Sequence, residues 1–517
     1  MIKLNKKLST VVMLSSLILM ACGNGDGETA ESTNNGNDNN TDETSVEAGT
    51  YFESLTVMAP TFETTAPPAD NEWELNVEEV AGVDLDINWV PNSNYEDRMN
   101  VTLASTDIPE LMVIQGKTPG FLNSAEAGAF WDLTDYLDDF DHLSTYNPDV
   151  LNNASVNGRV YGIYRGRDVM RHTALMRKDW LENLDLDVPE TIDEYTEVLR
   201  AFTFDDPNGS GADDTYGLME SNIHAVLDVA HVWFGAPNQW AIEDGEFIPS
   251  FTTEEYKASL DWFKGLVEEG LVNPDFTTLS PDDLESEIFN GNGGSMVATY
   301  SNTMRLNNLF ADSEGVERDD AHFMENTGTL RSPLDDQEYG FPTEGYAGFI
   351  AIPKTSVQTE EELIEVLGYL DNLSSADGLN ALNHGIEGVT YEVNEDGYLV
   401  PIETEEALNL RAYEMGQIST YGDGMLEPVV VNPLQKERLR LMEMNEAAAV
   451  HNEAAPFVSE TYTTRGQQLN EIISDARVLY VAGQISEDEW YAAVDRWFDS
   501  GGEQVIEEFN ELYQEHN

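Results

Sequence analysis

Strand and helix signals alternate along this sequence from Tyr51 onward, and that alternation predicts an α/β fold. Two observations carry the prediction. Leu85, Ile87 and Trp89 alternate with Asp84, Asp86 and Asn88, the period-two pattern of a half-buried strand. Four later segments open on a hydroxyl residue with Glu three positions on: Thr191/Glu194, Thr252/Glu255, Thr359/Glu362 and Ser486/Glu489. In such a capping box the two side chains satisfy each other's free backbone amides at a helix start. An α/β sheet of this kind places ligands in a cleft beyond its strand ends.

The first element is a leader. Lys3, Lys6 and Lys7 precede an apolar run from Val11 to Met20, too short to span a bilayer and of the length of a secretory apolar region. It ends in Leu19-Met20-Ala21-Cys22, which resembles a bacterial lipobox. The resemblance implies removal of residues 1–21, diacylation (palmitate-type lipid) of Cys22, and a cell-membrane location facing the extracytoplasmic side. Cys22 is the single cysteine in 517 residues, so no disulfide can form within the chain. Residues 22–50 follow as a disordered tether, with almost no large apolar side chains to bury. Flexible coil of that length reaches about 30 Å r.m.s..

The remainder is globular in composition, with 41% apolar and 10% aromatic residues in the chain, enough for two or three core-bearing units. Its charge is extreme. Without the three leader lysines, 22 of the 25 basic residues face 98 acidic ones. Nucleic acid and anionic membrane surface are thereby excluded as partners. The acids are spread along the whole chain, as on a surface adapted to high salt or alkaline medium, so a pair of carboxylates carries no weight as a sign of glycosidase chemistry.

In chain order, Asp70 is expected to cap a helix through about Val80, ended by Gly82. The alternating strand follows, then a helix near Tyr95–Leu103 and the short apolar strand LMVI at 111–114. In the helix opened by Thr252, the residues Tyr256, Leu260, Phe263, Val267 and Leu271 keep one apolar face, and Gly270 sits near its end. No internal repeat is present.

Catalytic signatures are scarce: there is no P-loop, GxGxxG, HExxH or GxSxG. His224, Asp228 and His231 share one helical face at a spacing that a zinc site can use, and that polar faces also produce by chance. In DDPNGSGADDTYG (205–217), oxygen-bearing side chains fall at Asp206, Asn208, Ser210 and Asp214, with Ala212 offering its carbonyl. That is how a loop wraps a hard cation, and equally a polar turn. Arg159, Arg165, Arg167, Arg171, Arg177 and Lys178 crowd the scarce basic residues into one window. They either pair with the acidic surroundings or form an electropositive spot suited to carboxylate or sulfate.

Several phrases together resemble the family 1 extracellular solute-binding lipoproteins of carbohydrate ABC importers, nearest the alginate- and oligosaccharide-binding subgroup. They include NGRVYGIYRGR (157–167), ALMRKDWLENLDLDVPETIDEYTEVLRAF (174–202), WFGAP (233–237), VEEGLVNPDF (267–276) and NHGIEGVTYEV (383–393), followed by the long C-terminal segment 476–513. The resemblance implies a two-lobed, type II periplasmic-binding-protein-like fold with a hinge of crossing segments and a sugar held between the lobes. Crossings are expected after GIYRGR, near GYAGFIAIP (345–353) and after the GIEG segment. The expected units are an N-lobe of 51–168 and 347–400 and a C-lobe of 169–346 and 401–517.

The same resemblance implies one structural calcium held by Asp206, Asn208, Ser210, Ala212 and Asp214. Two departures weaken it: Thr215 stands where alginate-binding relatives offer a carboxylate, and Ser210 replaces their Asn or Asp. An EF-hand would also place Glu at its twelfth position, where Gly217 sits. Sugars need aromatic platforms and paired hydroxyl partners, so Trp233, Trp240, Tyr300, Tyr346, Arg165 and Arg167 are the expected ligand contacts. The implied protein is a monomeric, non-enzymatic binding component that delivers an oligosaccharide, acidic if the Arg cluster faces the cleft, to ABC permease subunits. An extracellular lyase or hydrolase and a surface carbohydrate sensor or adhesin stand as alternatives.

Overall fold

A computed structural model describes residues 51–62 and 65–516. The leader, Cys22 and the tether lie outside the described residues. In chain order the strands are β1 (Ser54–Thr61), β2 (Asp84–Pro91), β3 (Leu111–Ile114), β4 (Ile163–Gly166), β5 (His172–Arg177), β6 (Tyr216–Leu218), β7 (Trp240–Glu243), β8 (Glu246–Pro249), β9 (Gly293–Thr299), β10 (Met324–Asn326), β11 (Tyr346–Ala351), β12 (Tyr391–Val393) and β13 (Leu399–Pro401). Helices separate most of them, as the alternation predicts.

Two mixed sheets organise the molecule. One has the order β2-β1-β3-β11-β4, with β2, β1 and β3 parallel and β11 antiparallel to both its neighbours. The other has the order β10-β5-β9-β6, with only β6 and β9 parallel. Every residue of β3 is buried, because the strand lies inside its sheet with both faces covered. Strand β2 lies at the edge and keeps the alternation read from sequence: Leu85 is buried while Asp84 and Asp86 are exposed.

Each sheet has its own core, which makes the chain two-lobed. The first core runs from Leu55 to Tyr164 and from Tyr346 to Tyr421, the second from Ala174 to Leu330 and from Ala454 to Phe509. A smaller cluster around Leu175, Met296 and Leu434 flanks the second sheet. Leu410, Met415, Ile418 and Tyr421 are buried with the first core, so the third passage between lobes lies between Tyr421 and Leu434 and not at residue 400. Nothing local marks the place, since residues 405–421 read as an ordinary helix and turn in either lobe.

Two helix starts differ from expectation by one residue. Asn71, not Asp70, caps the helix Glu72–Ala81, accepting from the amides of Trp73 and Glu74. Thr253, not Thr252, caps Glu254–Glu269, because the Thr252 hydroxyl donates to the Pro249 carbonyl. The boxes at Thr191, Thr359 and Ser486 form as expected. Gly82 and Gly270 end their helices at φ 82° and 78°, a left-handed conformation in which Gly carries no Cβ penalty. Among the described residues no helix is long and apolar enough to cross a membrane.

Candidate ligand site

The carboxyl ends of β1 and β3 deliver Phe62, Gln115 and Lys117 to one place, where β4 brings Arg165 and β11 brings Tyr346 and Ala347. These residues, with Arg167, Glu344 and Gln417, line a cavity of about 460 Å³. A bulge shapes it. The pairing of β11 with β4 shifts register between Tyr346 and Phe349, and Gly348 lies there at φ 88°. A Cβ at 348 would fall 2.1 Å from the Ile114 carbonyl oxygen, so only glycine lets β11 lie this close to β3. Arg165 then donates to the Ala347 carbonyl and to Gln417 Oε1, both at 2.8 Å. Its Nε is buried without a hydrogen-bond partner.

A second cavity of about 480 Å³ lies in the other lobe. Trp240, Phe251, Tyr256, Phe341, Tyr462 and Trp497 form its aromatic walls, and Asn238, Asn470, Ser474 and Arg477 add polar groups. Arg477 pairs with Asp228 at 2.6 Å, yet its Nε and the Asn238 Oδ1 are buried without partners. Burial brings His231 down to about 4, so the ring is neutral at ordinary pH, its Nδ1 3.1 Å from the Leu227 carbonyl. The helix Ala225–Trp233, which carries Asp228 and His231, starts on the buried Glu220, whose carboxylate accepts from the Ser221 and Val226 amides. Burial raises Glu220 to about 7.

Both cavities adjoin the segment that leads into the C-terminal helices. Glu453 donates its amide to the Trp240 carbonyl, and Lys117 reaches the Ala455 carbonyl at 2.5 Å. Aromatic walls with polar groups suit a ligand that offers both apolar faces and hydroxyls. Residues 58–379 match the bacterial extracellular solute-binding protein family. The chain belongs to that family.

This solute-binding protein is 37% identical over 482 residues to lipoprotein LipO of Bacillus subtilis strain 168, spanning 91% of this chain and 94% of LipO. It is 32% identical over 461 residues to the polygalacturonan/rhamnogalacturonan-binding protein YtcQ of the same organism, spanning 87% and 89%. Its fold is that of the alginate-binding protein AlgQ2 solved without calcium ion, with a TM-score of 0.65 at 19% identity over 90% of this chain and 99% of that one. The Streptococcus pneumoniae substrate-binding protein FusA in complex with kestose superposes with a TM-score of 0.61 at 17% identity, over the same shares.

Of the residues expected at the ligand, the structure places Arg165, Arg167 and Tyr346 on the first cavity and Trp240 on the second. Trp233 and Tyr300 line neither cavity: Trp233 is 1% exposed inside the second core, and Tyr300 is buried at the start of the helix Tyr300–Glu314. An aromatic residue in an α/β lobe reads alike whether it fills a core or walls a cavity. Sequence reasoning missed Phe62, Lys117, Gln417, Phe341, Tyr462 and Arg477, which lie beside strands or on helices with no motif around them. The Arg window divides. Arg159 pairs with Asp132, Arg177 with Asp179 and Lys178 with Glu325, Arg165 and Arg167 line the cavity, and Arg171 does neither. The zinc-like trio does not assemble, since Asp228 is held by Arg477 and His231 by the Leu227 carbonyl.

In the loop after the helix Ile192–Phe204, Ser210 Oγ and Asn208 Nδ2 lie 3.0 and 3.1 Å from Asp214 Oδ1, and Asp206 accepts from the Gly211 amide. The Ser210 hydroxyl also lies 3.5 Å from the Ala212 carbonyl. Two carboxylates, an amide, a hydroxyl and a carbonyl thus gather in one turn, a hard-oxygen set that fits calcium. Thr215 is outside it, donating its hydroxyl to the Phe202 carbonyl at 2.8 Å.

Proposed function

We propose that this protein is the extracytoplasmic binding component of an ABC importer, a non-enzymatic monomer that holds an oligosaccharide between its lobes and presents it to the permease. The aromatic-walled cavity of the second lobe, with buried polar atoms awaiting partners, is the observation that carries this reading. The names of the relatives, which bind polygalacturonan or alginate or were crystallised with kestose, support a sugar as the ligand. Titration of tryptophan fluorescence with neutral and acidic oligosaccharides is expected to give saturable changes for at least one class. No saturable response across the panel, together with unchanged sugar uptake after deletion of the gene, would remove the assignment.

Two further parts of the reading have their own tests. Cys22, outside the described residues, tethers the protein through a lipid: Cys22→Ala is expected to send protein to the medium or leave it unprocessed. Membrane retention of a normally cleaved variant would end that idea. The loop at 206–214 holds one calcium, with Asp206, Asn208, Ser210, Ala212 and Asp214 as ligands and a stabilising role. Because an ion that binds only the native state stabilises it by mass action, chelation is expected to lower the melting temperature, and Asp206→Ala to abolish that response. Identical melting curves with calcium and with chelator would reduce the loop to a turn.

A further inference from the structure

The charges around the first cavity are unevenly paired. In a chain with 98 acidic residues, most cations near the hinge have found a carboxylate. Arg159, Arg177, Lys178, Arg438 and Arg477 all sit in ion pairs. Lys117, Arg165, Arg167 and Arg171 do not: among the described residues none has a carboxylate within ion-pair distance, and the first three line the same cavity. Lys117 is held by the Ala455 carbonyl and Arg165 by the Ala347 carbonyl and the Gln417 amide oxygen, all neutral acceptors. One carboxylate, Glu344, shares the lining, so the cavity carries three cations against one anion.

Leaving cations together without counter-charge is costly, and the cost is visible in their proton affinity. Burial depresses Lys117 to about 8, partly opposed by Glu344. Burial and then the neighbouring Arg167 depress Arg165 to about 10, and Arg167 is lowered by burial and by Arg171. A strongly acidic protein has abundant means of neutralising such a cluster from within. This one leaves it open to the cavity, beside Phe62 and Tyr346 as apolar surfaces for a sugar face and Gln115 and Gln417 as hydroxyl partners.

We propose that Lys117, Arg165 and Arg167 form an anion subsite that receives the acidic group of an oligosaccharide, a uronate carboxylate or a sulfate ester. This rests on the sugar-binding reading above and adds the substrate class. The guanidinium of Arg167 and the free Nε edge of Arg165 offer N–H donors, and the ammonium of Lys117 supplies the compact charge. The anion raises the proton affinity of Lys117. Between its free value of about 8 and its higher bound value, binding therefore takes up a proton, and affinity falls as pH rises through that window. Glu344 and the Tyr346 hydroxyl also face this region, and burial, reinforced by the Glu344 charge, holds that hydroxyl protonated throughout the window.

The test uses isothermal titration calorimetry of the purified protein with a galacturonate trisaccharide, its methyl ester and a sulfated neutral trisaccharide. One acidic form is expected to bind at least about tenfold more tightly than the ester, the size of a charge-assisted pair. Which acidic form wins tells carboxylate from sulfate. Lys117→Met and Arg167→Gln are each expected to erase that preference. At pH 8 the heat is expected to vary with buffer ionisation enthalpy in the parent and not in Lys117→Met. Arg167 is the most exposed of the three, so its variant decides the matter even if the Lys117 variant is unstable. Equal or tighter binding of the ester, or an acidic preference that survives in Arg167→Gln, would overturn the subsite and leave sugar binding intact. Binding of none of the three would remove both.

Discussion

Gly217→Glu, which would complete a twelve-position calcium loop by sequence logic, is expected to destabilise the protein strongly and not to tighten a cation. A Cβ at 217 lands 2.2 Å from the Leu199 carbonyl oxygen and 2.7 Å from its Cα. Both are backbone atoms of the helix Ile192–Phe204, which is locked by its own hydrogen bonds and a capping box. The Gly217 amide donates to Thr203 Oγ1 at 2.9 Å, which pins the strand start against the helix. Neither side can yield cheaply, and the added carboxylate would be buried without a cation. The expected loss is about 3 kcal/mol or more, read as a lower urea midpoint with or without calcium. Gly217→Ala is expected to be destabilised in the same direction by the clash alone. Parent-like midpoints for Gly217→Ala would show that the helix and strand can separate.

Trp233→Ala separates a core role from a ligand role at a residue that the sequence placed at the sugar. Its ring is fully enclosed in the second core, so truncation leaves a cavity and costs about 3–5 kcal/mol. Tyr462 is different. It is half-buried on the cavity wall, its hydroxyl held by Asn470. Tyr462→Ala is expected to lower sugar affinity with a much smaller loss of stability. Chemical denaturation and calorimetric binding on both variants check the contrast. A stable Trp233→Ala that no longer binds sugar would reverse the roles.

The sequence by itself determined the features written in a few adjacent residues. The period of β2, the apolar strand at 111–114, the glycine ends at Gly82 and Gly270 and three of four capping boxes depend on contacts within about four positions. The one-residue errors at Asn71 and Thr253 arise because neighbouring Asp, Asn and Thr side chains compete for the same amides, and the incoming chain direction decides between them. The family likeness extended this to two lobes, because whole phrases matched in order.

Only the tertiary structure decided which side chains meet. The first cavity joins residue 62 to residue 417 through strand ends that are neighbours in the sheet and remote in the chain. Whether Arg159 or Arg165 is free depends on where Asp132 sits, and whether Trp233 or Trp240 meets a cavity depends on which helix covers it. The third passage between lobes was hidden for the same reason: Leu410 and Tyr421 are apolar in any reading, and only their packing assigns them to the first core. Local patterns are set by backbone geometry over a few residues, whereas burial, ion pairing and cavity walls are properties of contacts that form when distant segments close on one another.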